Sequence, residues 1–134
     1  MVVCGAATDE NATVRYLDEL SPLGPTTVAE FYQENGLNVS VLSPESFPLQ
    51  PAALVDLHGG GREMNANIIL RILRGEERGP KRDAVLLNSA AALFVAGRVR
   101  SLTEGWETAA AVLDNGQAFS KLEELRADSK NAPG

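Results

Sequence analysis

The chain predicts an α/β fold, on three observations. Strand-like patterns crowd its first part and helix-like patterns fill the rest. Val2-Val3-Cys4-Gly5 is an apolar run of the kind shown by a strand buried on both faces. From Gly61 onward, Gly, Pro and capping residues punctuate four stretches with helical spacing. Together these read as a piece of a sheet domain with helical cover.

Gly5 is read as halting the first strand, so the chain starts inside a structural element. Ala6 to Thr13 is polar and aperiodic and reads as a loop, and Val14 to Leu17 as a brief extension into the acidic pair Asp18-Glu19. Thr26 to Gln33 and Leu37 to Leu42 are expected to be strands joined at Asn35-Gly36, a dipeptide that takes the positive φ of a tight turn. Leu37, Val39 and Val41 alternate with Asn38 and Ser40, which predicts one buried face and one wet face. Ser43-Pro44 suits a single helical turn through Phe47, and Pro48 and Pro51 keep the next stretch extended.

His58 and Gly59-Gly60-Gly61 form a hinge before a helix from about Arg62 to Arg74, with Ile68, Ile69, Ile72 and Leu73 on one side and Gly75 ending it. Gly79-Pro80 opens a second helix, Gly97 closes it, and the apolar run from Ala84 to Ala96 implies a central position. Ser101 and Glu104 match a capping box for a third, which ends near Asn115-Gly116. A fourth runs from Gln117 to about Ala127 with Phe119, Leu122 and Leu125 inward, before a frayed tail.

Composition bounds the function. A chain of 134 residues is long enough for one domain, and 44% hydrophobic with 22% charged residues is ordinary for a globular protein. The net charge of -6 opposes binding to nucleic-acid backbones and anionic membranes. One cysteine excludes an internal disulfide, no apolar run is long enough to span a bilayer, and no leader pattern follows Met1, so a cytoplasmic location is expected.

Asp18 and Glu19 are the strongest candidates for chemistry, because paired carboxylates suit Mg²⁺, a hard cation that bridges protein oxygens to substrate phosphates. The other candidates carry blander readings. His58 reads as a surface or loop-packing residue, and the three glycines lack the spacing of a phosphate loop. Arg78, Lys81 and Arg82 read as a solvated basic loop ahead of a phosphate clamp. Asn88, inside an apolar helix, needs a hydrogen-bond partner and reads as a cap on a nearby loop. Cys4 reads as a small core residue and Trp106 as core or interface.

Taken in order, several motifs carry a resemblance: Leu17-Asp18-Glu19-Leu20-Ser21 with Gly24-Pro25-Thr26, Leu57 to Gly60, Asn65-Ala66, and Gly79 to Asn88 with Ala90-Ala91-Ala92-Leu93. The set resembles the C-terminal part of the anthranilate phosphoribosyltransferase family and covers nearly all of the chain outside Ala6–Thr13 and the tail. The resemblance implies that residues 1–127 form the C-terminal part of a mixed, largely parallel sheet domain, with a β-hairpin and about four covering helices. Residues 128–134 are then a frayed tail. It implies Mg²⁺-dependent transfer of phosphoribosyl from phosphoribosyl pyrophosphate to anthranilate in tryptophan biosynthesis, with Asp18 and Glu19 holding the metal. It assigns no catalytic or substrate-contacting residue.

The family's N-terminal helical domain, which supplies its homodimer contact, is absent from the sequence, as are its Gly-rich pyrophosphate loop and its basic stretch. The lone chain is therefore expected to be inactive and to need a complementary N-terminal chain. The resemblance leaves two alternatives open, a pyrimidine nucleoside phosphorylase-type enzyme and a non-catalytic partner-binding fragment.

Overall fold

The computed structural model describes residues 1–32 and 36–131. Four strands, β1 (Val2–Thr8), β2 (Val14–Leu17), β3 (Thr26–Tyr32) and β4 (Gly36–Leu42), form one sheet in the order β2-β1-β3-β4. Two 3₁₀ turns, Pro44–Ser46 and Leu54–Leu57, lead to the helices α1 (Arg62–Leu73), α2 (Pro80–Val95), α3 (Leu102–Asp114) and α4 (Gln117–Asn131).

The fold is α/β, but the expectation of a largely parallel sheet is corrected. All three strand pairings among the described residues are antiparallel. The connections at residues 9–13 and 18–25 are too short for a parallel crossover, which needs about a dozen residues or more. Ala6–Thr8, read as loop, instead continues β1, with Ala6 opposite Tyr16 and Thr8 opposite Val14. Small residues carry little strand signal of their own, and the pairing comes from β2, with Ala6 N–H also donating to Pro25 O at 2.9 Å. Asn35 of the expected turn lies outside the described residues.

The tip of the β1–β2 hairpin is held by Asp9. Its carboxylate accepts from Thr13 N–H at 2.9 Å, Asn11 N–H at 3.0 Å and Arg15 Nε at 3.0 Å. The Thr13 bond is the main cause of a pKa below the ordinary carboxylate value. Desolvation works against it, and Arg15 and Asn11 reinforce it. A depressed carboxylate pKa gives stabilisation that is present above the unfolded value and lost as pH falls through the folded one. Protection of the residue 11–15 amides, relative to their intrinsic exchange rates, should therefore hold near neutral pH and fall below the ordinary carboxylate range. In Asp9→Ala, which removes the acceptor, protection should be low at every pH; protection that persists in this variant would contradict the assignment.

The core lies on one face of the sheet. Leu20, Val28, Phe47, Ile72, Leu86, Leu87, Ala90, Trp106, Ala109 and Leu113 form one cluster. The rings of Phe47 and Trp106 sit 5.8 Å apart and tilted. Helix ends follow their local signals. Gly75, Gly97 and Gly116 take positive φ at the C-termini of α1, α2 and α3. Ser101 Oγ accepts from Glu104 N–H at 3.1 Å at the start of α3.

The opposite sheet face is bare, which corrects three burial expectations. By register, Val2, Cys4, Tyr16, Phe31, Val39 and Val41 share this face, and no helix among the described residues covers it. Leu37, Val39 and Val41, expected to be buried, are 60%, 60% and 69% exposed. Val2 is exposed, so β1 is not buried on both faces, and Cys4 is exposed where a core residue was expected. Alternation shows which residues share a face; covering that face depends on polypeptide elsewhere. Leu125 is likewise exposed on α4, which continues four residues past the expected end at Ala127, to Asn131.

Candidate functional site

The acidic pair sits where the chain changes sides of the sheet. β2 lies on one side of β1 and β3 on the other, so the connection at residues 18–25 must cross β1. It crosses at Gly5. A Cβ there would meet Glu19 O at 2.5 Å and Ser21 Cβ at 2.7 Å, so only glycine lets the crossing chain lie this close. Gly5, read as a stop, is a crossing point inside a continuous strand.

Beyond the acidic pair the crossing is buried and bonded. Leu20 and Ser21 are 1% and 2% exposed. Ser21 Oγ donates to Ala6 O at 2.6 Å, and Ser21 N–H donates to Thr26 Oγ1 at 3.0 Å. From α2, Asn88 accepts from Leu20 N–H at 2.9 Å and donates to Leu20 O at 3.1 Å and Ala84 O at 3.0 Å. The loop that Asn88 was expected to cap is the one that carries Asp18 and Glu19.

Glu19 lines a groove of about 650 Å³ between α1 and α2. Ile68, Ile72 and Val85 give it an apolar floor, and Asn65, Lys81 and Asn88 supply polar groups. Asp18 is exposed beside Glu19 and is not among the lining residues. Among the described residues neither carboxylate takes part in a hydrogen bond or ion pair with the protein. No group of three or more His, Cys, Asp or Glu side chains there could hold a metal ion. The pair offers hard oxygen donors without a complete cage, a donor set that fits Mg²⁺, which keeps waters and substrate phosphates in its shell.

The remaining candidates resolve differently. His58 is exposed and follows the second 3₁₀ turn. Gly59 and Gly60 form a fixed loop, because Asn65 accepts from Gly60 N–H at 2.8 Å and donates to Gly60 O at 2.9 Å. Sequence reasoning missed this clamp, although Asn65 stands one turn inside the helix that the glycines precede. The basic residues also part company. Lys81 donates to Asp56 O, whereas Arg78 and Arg82 meet on Asp114 at 2.9 and 3.0 Å. With only 11% of its side chain exposed, Arg82 is no solvated loop residue; it ties the start of α2 to the end of α3. Trp106 is core.

The family described as "Glycosyl transferase family, a/b domain" matches residues 3–119. The chain belongs to that family. Among similar members of this glycosyl transferase family, the anthranilate phosphoribosyltransferase of Petrotoga mobilis is 44% identical over 81% of this chain and 31% of its own length. That of Phenylobacterium zucineum is 46% identical over 81% of this chain and 32% of its own length. The crystal structure of the Thermus thermophilus enzyme matches with a TM-score of 0.70 and 38% identity over 90% of this chain and 34% of that one. A variant of the Saccharomyces cerevisiae enzyme with Mg bound gives 0.73 and 28% over 90% of this chain and 33% of that one. The chain thus spans about a third of the length of the relatives it matches.

Proposed function

We propose that this chain is the metal-binding portion of an anthranilate phosphoribosyltransferase that acts in the cytoplasm. In this reading Asp18 and Glu19 hold Mg²⁺ against the pyrophosphate of phosphoribosyl pyrophosphate. The observation that carries it is the placement of the pair. Two carboxylates without protein partners among the described residues stand on a pinned crossing, Glu19 lining an apolar groove and Asp18 exposed beside it, in a chain 44% identical over 81% of its length to an enzyme of that name. Among the described residues no helix is long and apolar enough to cross a membrane.

The chemistry asks for such a placement. As the anthranilate amine attacks C1 of the ribose, the C1–O bond breaks and its electron pair leaves with pyrophosphate. Bound Mg²⁺ would neutralise charge developing on that leaving group. The protein's task is to hold the two carboxylates still before the reaction, so that no reorganisation is needed during it.

The reading requires a complementary polypeptide, because relatives are about three times as long as the matched segment. Purified alone with anthranilate, phosphoribosyl pyrophosphate and Mg²⁺, the chain should show no turnover. Joined to the unmatched part of the Thermus thermophilus enzyme, it should restore Mg²⁺-dependent formation of phosphoribosylanthranilate. Turnover by the lone chain would contradict the need for a partner. A folded hybrid that binds the substrates yet stays inactive would contradict the assigned activity.

A further inference from the structure

The acidic pair occupies a short span between two fixed points. On one side Leu17 is paired with Gly5 in the sheet. On the other, Leu20 is held through both of its backbone polar groups by one side chain, that of Asn88. Asp18 and Glu19 are the only residues between them. The orientation of the amide follows from its partners, because Oδ1 meets an N–H while Nδ2 meets the two carbonyls of Leu20 and Ala84.

The amide thus acts toward Leu20 as a neighbouring strand would, although Leu20 lies outside the strands. Leu20 is 1% exposed, so while the clamp stands its backbone polar groups depend on the amide rather than on water. Asn88 also lines the groove that Glu19 lines, so the clamp and one of the two carboxylates share it. We propose that Asn88 is a positioning residue: from α2 it fixes the backbone of the Asp18-Glu19 span and thereby sets the geometry in which the pair meets its cation.

This inference rests on the metal reading of the pair, so its test uses two separate readouts. Asn88→Ser is the informative variant. A helical serine bonds back to the carbonyl four residues earlier, which preserves the Ala84 contact, but it is too short to reach Leu20. Leu20→Ala is the comparator, because it removes buried packing and leaves the backbone clamp in place. Hydrogen exchange is followed on the Leu20 amide and on the β3–β4 amides, and Mg²⁺ affinity is measured by calorimetry.

In Asn88→Ser the Leu20 amide should exchange about tenfold faster or more relative to the β3–β4 amides, and Mg²⁺ affinity should fall roughly 10- to 100-fold, the usual cost of losing a residue that orients a ligand. Leu20→Ala should speed exchange throughout and leave Mg²⁺ affinity near that of the unsubstituted chain. A Leu20 amide that responds no more than the sheet, or an affinity that falls equally in both variants, would overturn the role of Asn88. An unsubstituted chain that binds no Mg²⁺ would overturn the metal reading, while a selective response at Leu20 would still support the clamp.

Discussion

Replacing Asp18 and Glu19 together with Ala, in the enzyme completed by its remaining portion, should lower Mg²⁺-dependent kcat/KM by on the order of 10³-fold, the scale on which preorganised charge stabilisation acts. The fold should barely notice. Both side chains are exposed and without protein partners among the described residues, and such surface substitutions typically shift stability by about 0.5 kcal/mol or less. Two measurements check this, the dependence of rate on Mg²⁺ and the melting temperature. Unchanged activity would remove the pair from the mechanism. A collapsed melting temperature would show that its role is structural. The single variants should each lose a large part of the effect, since one carboxylate retains a cation poorly.

The second large effect concerns packing. Gly105 of α3 lies against Ala90 of α2, and a Cβ there would come within 2.8 Å of Ala90 O, 2.9 Å of its Cα and 3.1 Å of its Cβ. Two of these three atoms are backbone and the third is rigidly attached to it, so a rotamer change gives no relief and the helices must separate. Ala90 is fully buried in the core cluster. Alanine favours a helix over glycine by about 1 kcal/mol, while overpacking costs about 1–3 kcal/mol and occasionally more. The clash should prevail, because both residues are buried and the contact is with backbone atoms. Gly105→Ala should lower the melting temperature by several degrees, and a variant as stable as the parent would show that the two helices are free to shift apart.

What could be read from the sequence was local. Helix starts and stops were legible because Ser101, Glu104, Gly79-Pro80 and the positive-φ glycines act within a turn of themselves. The acidic pair stands out in the sequence because its two carboxylates are adjacent, and its role as a metal site is the proposal made above. The rest depends on partners far along the chain. Asn88 announces that it needs a partner, but nothing local names Leu20, 68 positions away. Arg82 looks like part of a basic loop until Asp114, 32 positions on, folds beside it. Gly5 permits two readings, a stop or a close approach, and only the β2-β1-β3 order decides for the second. Leu37, Val39 and Val41 do share a face, as their alternation says, yet all four helices pack on the other side.

The acidic pair carries one proposed account, in which it holds the divalent cation of a phosphoribosyltransferase. The most direct test of its central claim is paramagnetic. Titrating Mn²⁺, as a substitute for Mg²⁺, into the isotope-labelled chain should broaden the amide signals of residues 17–20 and of groove residues near Glu19 before any others, and Asp18→Ala with Glu19→Ala should abolish the effect. Broadening that begins elsewhere, or that survives the double substitution, would contradict it.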